Sequence, residues 1–190
     1  MPDNAAVVLG STQPESHIDG AAAARAGIQV VRRRGGGGAV LVAPGQLLWV
    51  DVVIPAADPL WSADVGRAFW WLGELWVDAL TAAGIAGARS WRGGLVRSAW
   101  SDRFCFAGLG PGEVTVGHAK VVGISQRRTR EGAHFQCAVP IGWDPGALLA
   151  VMALDDDTRA EAAKHLSGVA LGVGQDIAIQ LIPALVDHLP

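Results

Sequence analysis

Residues 32–42, RRRGGGGAVLV, place three arginines and four glycines directly before an apolar segment. Glycine lets the backbone approach a ligand closely and adopt positive φ, so successive N–H groups can face an anion. The guanidinium groups of Arg32, Arg33 and Arg34 match the geometry of phosphate or carboxylate. A Walker loop would continue with Gly-Lys-Ser/Thr, which is absent here. A dinucleotide-binding turn would lead into a helix, whereas these glycines lead into a predicted strand. The segment predicts either an anion-binding turn or a tight hairpin with solvated arginines.

A second candidate segment lies at 117–132, GHAKVVGISQRRTREG, where a lysine opens a predicted strand. Lys120 is one of two lysines beside thirteen arginines, a bias that a GC-rich genome produces without any chemistry. An ammonium is a compact point charge and can lose its proton, whereas a guanidinium cannot. Gly123 admits a ligand close to the backbone, and Ser125 and Gln126 add polar groups. The segment predicts either a ligand-contacting lysine or a solvated charge at a strand edge.

The two cysteines, Cys105 and Cys137, are too few for a disulfide framework, and we expect both to be free thiols. A cysteine in an apolar segment is either a buried structural residue or a candidate nucleophile. For Cys105, in RFCFAGLG, both interpretations stay open.

The composition favours one soluble domain. The 190 residues suffice for a domain with its own core, and a content of 51% hydrophobic and 17% charged residues excludes a solvated, disordered chain. The net charge of −3 argues against nonspecific binding to nucleic acid. No apolar run reaches the ~18 residues of a membrane helix, and the N-terminus lacks the features of a signal peptide. We therefore expect a cytoplasmic protein without nucleic-acid or membrane partners.

Hydrophobic periodicity and turn residues predict strands with helices interspersed. Strands are predicted at 5–9, on both sides of Pro44-Gly45 as a hairpin within 39–55, and within 113–128 and 133–143, with a turn at 89–94. Helices are predicted at 16–27 with Ser16 or Asp19 as N-cap, at 60–83 with its tryptophans in the core, after Asp144-Pro145, at 154–166, and from about Gln175. This pattern indicates a single α+β domain over 1–190, with a mixed or antiparallel sheet and flanking helices.

The two glycine-containing segments together resemble the catalytic region of the lipoate–protein ligase and octanoyltransferase family, which is related to biotin ligases. The family pattern Gly-x-x-Gln is matched by Gly10 to Gln13, and the pattern Arg-Arg-x-Ser-Gly-Gly-Gly-Ala-Val, after a helix, is similar to 32–40. A later pattern, Gly-x-Lys-Val/Ile-x-Gly-Ser-Ala-Gln, resembles GHAKVVGISQ at 117–126. Two motifs in this order are specific, and the resemblance covers roughly residues 5–140.

The resemblance implies a fold like that of class II aminoacyl-tRNA synthetases and biotin ligases, and an enzyme that transfers an acyl group to a lysine of a carrier domain. Lys120 is implied to contact the acyl carbonyl or acyl phosphate and, with Arg33, to offset negative charge there. The residues implied to bind the acyl group and nucleotide are Arg32, Arg33, Gly36, Gly37, Gly38, Ala39, Val40, Gly123, Ser125 and Gln126. No metal ligands are expected among the side chains. The chain begins at what is normally the family's second strand, which implies a domain without the usual N-terminal helix and strand.

Three positions depart from the family pattern. Gly35 stands where the family has serine, and Ile124-Ser125 stands where it has Ser-Ala. Cys137 occupies a position where histidine is usual, and we interpret the nearby His134 as structural.

Two mechanisms share this family fold. A ligase activates free lipoate or octanoate with ATP and Mg²⁺ as an acyl adenylate, and the arginine–glycine motif favours this interpretation. An octanoyltransferase holds the acyl group as a thioester, and the fifteen positions from Cys105 to Lys120 resemble one such subgroup. A third alternative is a degenerate paralogue that binds acyl groups or a carrier without turnover. Retention of Arg33 and Lys120 favours activity.

The acceptors implied by the resemblance are lipoyl domains of 2-oxoacid dehydrogenases or a glycine-cleavage H-type carrier protein. For the transferase alternative, acyl carrier protein is the implied donor.

Overall fold

The fold is given by a computed structural model that describes residues 4–190; residues 1–3 of the predicted domain lie outside the described part. Its strands are β1 (Ala6–Leu9), β2 (Gln29–Arg32), β3 (Val40–Val42), β4 (Leu47–Pro55), β5 (Ala88–Ser90), β6 (Val114–Val116), β7 (Ala119–Arg128) and β8 (Gly132–Pro140). Its α-helices are α1 (Gly20–Arg25), α2 (Trp70–Ala82), α3 (Gly146–Ala150), α4 (Asp156–Leu166) and α5 (Gln175–Asp187). Short 3₁₀ turns lie at Glu15–His17, Arg67–Phe69 and Cys105–Ala107.

The strands form two sheets. The larger sheet is antiparallel, in the order β4-β8-β7-β6-β5. The smaller sheet has the order β2-β1-β3, with β1 parallel to β2 and antiparallel to β3. Parallel neighbours need a crossover connection, which α1 provides between β1 and β2. The prediction of one α+β domain with a mixed or antiparallel sheet is confirmed.

The larger core lies between one face of the five-stranded sheet and helices α2 and α5. Leu72, Trp76 and Leu80 recur every four residues on α2 and are fully buried against this sheet, which contributes Phe135. Leu181 adds the face of α5. The predicted core role of the α2 tryptophans therefore holds for Trp76.

A second core joins the smaller sheet to α3 and α4 through residues such as Val7, Leu9, Leu149 and Leu166. A third cluster connects the two sheets; its buried members are Val40, Val42, Leu47, Phe106, Ala138 and Ala170. The two sheets therefore pack against each other through this cluster, and residues of both sheets can line a site between them.

Two of the predicted helix starts are confirmed by their caps. The Asp19 carboxylate accepts a hydrogen bond from Ala22 N at 2.9 Å, and α1 follows. The Asp155 carboxylate accepts from Thr158 N at 2.7 Å at the start of α4.

The predicted hairpin around Pro44-Gly45 is wrong. β3 pairs with β1 in the smaller sheet, whereas β4 pairs with β8 in the larger one. The turn closes through Gln46 N donating to Ala43 O at 3.2 Å, and it carries the chain from one sheet to the other. Apolar periodicity identifies a strand but does not identify its partner.

The predicted helix at 60–83 starts later than expected, with a 3₁₀ turn at Arg67 followed by α2. The Asp58 carboxylate accepts from Leu60 N at 2.8 Å, and the Asp64 carboxylate accepts from Gly66 N at 2.8 Å and Arg67 N at 2.9 Å. Aspartate bonds of this kind favour turns and helix starts over helix interiors. The expected turn at 89–94 also begins within strand β5.

Within residues 4–190, no helix is both long and apolar enough to cross a bilayer.

Candidate active site

The glycine turn, defined here as residues 35–38, connects β2 to β3 and needs glycine for two reasons. Gly37 has a φ of +97°, in the left-handed region that favours glycine. A Cβ at Gly38 would lie 2.5 Å from Phe104 N, and a Cβ at Gly10 would overlap the Gly37 carbonyl. The turn therefore packs backbone against backbone between the segment at 10–13 and the segment before Cys105.

The side chain of Arg33 stabilises this turn through hydrogen bonds to main-chain carbonyls. It is 6% exposed, and its guanidinium donates to Val8 O at 3.1 Å, to Gly36 O at 2.7 Å and to Gly38 O at 2.9 Å. The family resemblance implies that Arg33 offsets charge on the substrate. These contacts instead turn its donors towards main-chain carbonyls of the protein.

Arg32 has a similar position at the neighbouring turn. Its Nη1 donates to Gly10 O at 2.8 Å and Gln13 O at 2.6 Å, and its Nη2 lies 3.3 Å from a Glu15 carboxylate oxygen. Arg32 therefore orders the 10–13 turn against which the glycines pack.

Lys120, at the start of β7, is buried in an ion pair. Its Nζ lies 2.7 Å from Glu113 Oε2, and the two side chains are 3% and 7% exposed. The ammonium also donates to the Cys105 carbonyl at 3.0 Å. Glu113 accepts further hydrogen bonds from Gly110 N at 2.6 Å and Ile124 N at 3.1 Å.

The main chain of Lys120 is held by a segment from the C-terminal part of the sequence. Lys120 N donates to Val169 O at 2.8 Å, and Leu171 N donates to Lys120 O at 3.0 Å. These bonds form a parallel bridge between Lys120 and Ala170. The lysine is therefore fixed by both its main chain and its side chain.

A cavity of about 820 Å³ opens above this ion pair. Its volume lies within the range of small-molecule sites, roughly 300–1,000 Å³. The walls come from the 12–17 segment, the glycine turn, the loop at 95–113 and the start of β7. The lining residues are Thr12, Gln13, Pro14, His17, Gly36, Gly37, Gly38, Phe69, Leu95, Arg97, Ala99, Ser101, Asp102, Arg103, Cys105, Gly108, Gly110, Pro111, Glu113, Lys120, Ile124, Ser125 and Gln126.

The structure brings most of the predicted site residues to one cavity. Seven of them line it: Gly36, Gly37, Gly38, Cys105, Lys120, Ser125 and Gln126. The other five, Arg32, Arg33, Ala39, Val40 and Gly123, lie behind the lining. Ala39 and Val40 are buried, and Ala39 exchanges backbone hydrogen bonds with Arg103 and Cys105, each at 2.9 Å. Arg32 and Arg33 order the two turns that form part of the cavity wall.

The departures at Gly35 and Ser125 occupy the same space. A Cβ at Gly35 would lie 2.7 Å from Ser125 Oγ and 3.2 Å from Ser125 Cβ. The family pattern has serine at the first position and alanine at the second. The smaller residue in the turn therefore accompanies the larger residue on β7.

Gln126 presents an unpaired amide at the cavity. Its Nε2 and Oε1 are buried and have no hydrogen-bond partner among residues 4–190. Gln126 lies opposite Phe135 in the β7–β8 ladder, and Phe135 packs edge-to-face on Phe69 at 5.5 Å. The amide therefore has two unpaired N–H donors and one unpaired oxygen acceptor beside aromatic rings.

The two cysteines differ in environment, and both are free. Cys137 is fully buried in the larger core, and burial raises the pKa of its thiol to about 12. This position, where histidine is usual in the family, does not line the cavity. Cys105 is half-buried and lines it. His134 lies outside the cavity lining, with its Nε2 2.7 Å from an Asp51 carboxylate oxygen.

The sequence analysis missed four charged residues of the cavity lining, Arg97, Asp102, Arg103 and Glu113. The Arg103 guanidinium has no carboxylate within ion-pair distance among the described residues, and the other lining arginine, Arg97, pairs with Asp102 at 2.8 Å. Burial and the positive charge of Arg103 lower the pKa of His17, against an opposing effect of Asp102. Arg103 and Glu113 lie near Cys105 and Lys120 in the sequence, but neither belongs to the quoted family patterns, so no pattern marked them.

The carboxylates of the cavity have partners within the protein. Glu113 binds Lys120 and two main-chain N–H groups, and Asp102 binds Arg97. No group of three or more His, Cys, Asp or Glu residues within 4–190 is placed to hold a metal ion. This donor set does not fit a metal held by protein ligands alone. Mg²⁺ commonly binds through substrate phosphates and water with one or two carboxylates.

Comparison with protein families identifies the family of this chain. The family model described as the lipoyl protein ligase A/B catalytic domain matches residues 1–175. The chain belongs to this family. The resemblance drawn from the two glycine motifs is confirmed, and the protein is an acyl-protein ligase or acyltransferase. A search among curated proteins finds no significant match.

Solved structures show the same fold. A bi-partite lipoate protein ligase from Thermoplasma acidophilum, described with its E2 lipoyl domain, superposes with a TM-score of 0.73 at 20% identity, covering 97% of this chain and 67% of that one. A lipoate-protein ligase A bound with ATP gives 0.68 at 22% identity, with 97% and 68% coverage. A P. falciparum protein, LipL1, in complex with lipoate gives 0.60 at 14% identity, with 97% and 44% coverage. The chain thus spans about two thirds of the first two proteins and less than half of the third.

Proposed function

We propose that this family member activates lipoate or octanoate with ATP as an acyl adenylate and transfers the acyl group to a lysine of a lipoyl domain. The observation that carries the proposal is the position of Lys120. Its buried ammonium lies at the same cavity as the glycine turn, and both belong to the motifs of the family. Structural neighbours that bind ATP or lipoate support the choice of substrates.

Activation requires stabilisation of negative charge on the carboxylate and on the α-phosphate. The carboxylate oxygen attacks the α-phosphorus and pyrophosphate leaves. Mg²⁺ bound through the phosphates of ATP would offset their negative charge. An ammonium has three donors, and Lys120 uses two of them on Glu113 and Cys105 O. The third is available to the acyl carbonyl or the phosphate. A fixed cation of this kind stabilises charge as it develops in the transition state.

Other lining residues complete the proposed substrate contacts. The backbone of Gly36 to Gly38 lets the activated acyl group lie close to the turn. Arg103 supplies a guanidinium for phosphate, a role that Arg33 is too occupied to perform. The Gln126 amide offers a donor and an acceptor to the nucleobase.

In the transfer step, the ε-amine of the acceptor lysine attacks the acyl carbonyl. AMP leaves, and the amine nitrogen loses a proton to give the amide. We propose lipoyl domains of 2-oxoacid dehydrogenases or an H-type carrier protein as acceptors. The archaeal ligase described with its E2 lipoyl domain supports this class of partner.

Intact-mass spectrometry of the full chain tests the proposal. The protein is incubated with lipoate or octanoate, ATP, Mg²⁺ and a lipoyl domain, and the acceptor should gain one acyl group. Omission of ATP is the control and should abolish the gain. An acceptor that stays unmodified with ATP and both acids would contradict the proposal.

The octanoyltransferase alternative rests on Cys105, which lines the cavity beside Lys120. In that reaction the Cys105 thiolate attacks the thioester of an octanoyl carrier protein, and the carrier's thiol leaves. The acceptor amine then attacks the Cys105 thioester and restores the thiol. An activated cysteine is suited to this chemistry.

Mixing the protein with octanoyl carrier protein and no nucleotide separates the two mechanisms. A ligase should show no covalent octanoyl group, and Cys105→Ser should keep most of its ATP-dependent activity. A mass gain of one octanoyl group that hydroxylamine removes and that Cys105→Ser lacks would establish the transferase instead.

A further inference from the structure

The carboxylate of Glu113 joins three parts of the cavity wall. Oε2 lies 2.7 Å from Lys120 Nζ and accepts from Gly110 N at 2.6 Å, while Oε1 accepts from Ile124 N at 3.1 Å. One side chain thus binds the loop before β6, the lysine and the middle of β7. Both oxygens are used, and the side chain is 7% exposed.

This arrangement determines the direction of the Lys120 ammonium. Two of its three N–H groups point to Glu113 and to the Cys105 carbonyl, so the tetrahedral geometry fixes the third. The Phe106 ring, 5.5 Å from Nζ, covers the ammonium on another side. Lys120 can therefore reach a ligand in the cavity along one direction only.

The charge of Glu113 matters as much as its geometry. A buried ammonium is costly unless a partner of opposite charge compensates it. Lys120 is 3% exposed, and the other carboxylate of the cavity, Asp102, is paired with Arg97. Among the described lining residues, Glu113 is the carboxylate that remains to compensate the charge of Lys120.

We propose that Glu113 is a positioning residue for acyl activation, which compensates the buried ammonium of Lys120 and aims its free donor at the substrate. The proposal rests on the proposed function in assigning the reaction, but its basis is the contact between the two side chains. Glu113 acts through Lys120 and does not itself touch the reacting atoms.

The test compares Glu113→Gln, Lys120→Gln and the double variant in the full-length enzyme. Glutamine at 113 keeps the shape and an acceptor for Ile124 N but loses the charge. We expect its kcat to fall about 10- to 100-fold, equivalent to one hydrogen bond to a charged group, with KM values nearly unchanged. In the Lys120→Gln background the same change should have no further effect on kcat. Glu113→Asp, which keeps the charge, should retain more activity than Glu113→Gln.

A purely structural role gives the opposite pattern. Glu113→Gln would then be milder than Glu113→Asp, or the two single changes would multiply in the double variant, and either result overturns the proposal. Urea unfolding supplies a readout independent of the reaction. The double variant should be more stable than each single variant, because each single variant leaves one buried charge unpaired and the double variant leaves none. Additive losses of stability would also overturn it. Failure of wild-type acyl transfer would count against the proposed function, while this unfolding cycle would still test the pair.

Discussion

At the scale of residues, two departures from the family pattern beside the cavity are explained by each other. Gly35 and Ser125 each depart from the family pattern, and a Cβ at Gly35 would lie 2.7 Å from Ser125 Oγ. The turn lacks the serine side chain of the family pattern at Gly35, and β7 carries a serine in place of the family's alanine at Ser125. The Ser125 hydroxyl therefore lies in the cavity wall. Considered alone, Gly35 or Ser125 would be interpreted as the loss of a family motif residue.

A swap of these two residues tests this coupling. Gly35→Ser should destabilise the protein by about 1–3 kcal/mol through overpacking. Adding Ser125→Ala should restore most of the loss, since it recreates the family pair. The measurement is the free energy of unfolding in urea for both single variants and the double variant. Independent, additive effects would show that the two positions do not interact.

The pKa of His17 reports the position of Arg103. Burial and the Arg103 charge both lower this pKa from its ordinary value of 6.5. Arg103→Ala should therefore raise the pKa of His17, although burial should keep it below 6.5. Arg130→Ala, on the exposed β7–β8 turn, is the control and should leave it unchanged. An NMR titration of the imidazole signals measures the pKa of His17 in both variants. An unchanged pKa in Arg103→Ala would mean that the Arg103 guanidinium does not lie near His17.

The sequence predicted the site residues that lie in a recognisable motif. It did not predict those whose role depends on a tertiary contact. Lys120 stood out because lysine is rare in this chain and lies in a motif. Glu113 is one of many acidic residues, and its role arises from a lysine seven positions later across a β-bulge. Such a pairing depends on the tertiary structure, which no local pattern records.

At the scale of elements, the turn between β2 and β3 is held by the side chain that precedes it. The Arg33 guanidinium binds the carbonyls of Gly36 and Gly38, so the turn has little freedom to adjust to a new side chain. A ligand that contacts this turn therefore meets a preformed surface.

Gly37→Val should destabilise the protein and abolish binding of the acyl adenylate. A β-branched residue is strained at a φ of +97°, and its Cβ would lie 2.8 Å from Arg33 Nη2. The matched control is Gly36→Ala, whose Cβ would meet nothing within 4 Å, and it should fold as the wild type does. Calorimetry with an acyl-adenylate analogue and thermal unfolding measure the two effects. Wild-type affinity in Gly37→Val would mean that the turn does not touch the ligand.

The elements predicted from sequence were those that carry a local signal. α1 and α4 begin at aspartate caps, and β7 and β8 carry long apolar patterns. The hairpin at Pro44-Gly45 failed because each flanking strand has a more distant partner. The start of α2 moved because the Asp58 and Asp64 carboxylates bind nearby main-chain N–H groups, a competition that apolar spacing does not show.

At the scale of the whole molecule, the cavity lies where the two sheets meet. The glycine turn belongs to the smaller sheet and Lys120 to the larger one, so a ligand that touches both connects the two cores.

An acyl-adenylate analogue should therefore stabilise the protein as a unit. At a free concentration of 100 times Kd, linkage predicts a gain of about 2.7 kcal/mol, or a rise in Tm of about 5–11 °C for a chain of this length. Hydrogen exchange should slow at both the glycine turn and β7. Protection confined to one of the two would show that the ligand binds a single sheet.

The bridge between Lys120 and Ala170 also sets an order of events during synthesis. Lys120 leaves the ribosome long before 169–171, yet its main-chain N–H and C=O gain these hydrogen bonds only when that segment arrives. A prematurely ended chain would contain both glycine motifs but would lack the bridge that fixes the lysine. Assembly of the site thus waits until residues 169–171 have been made, well after both glycine motifs.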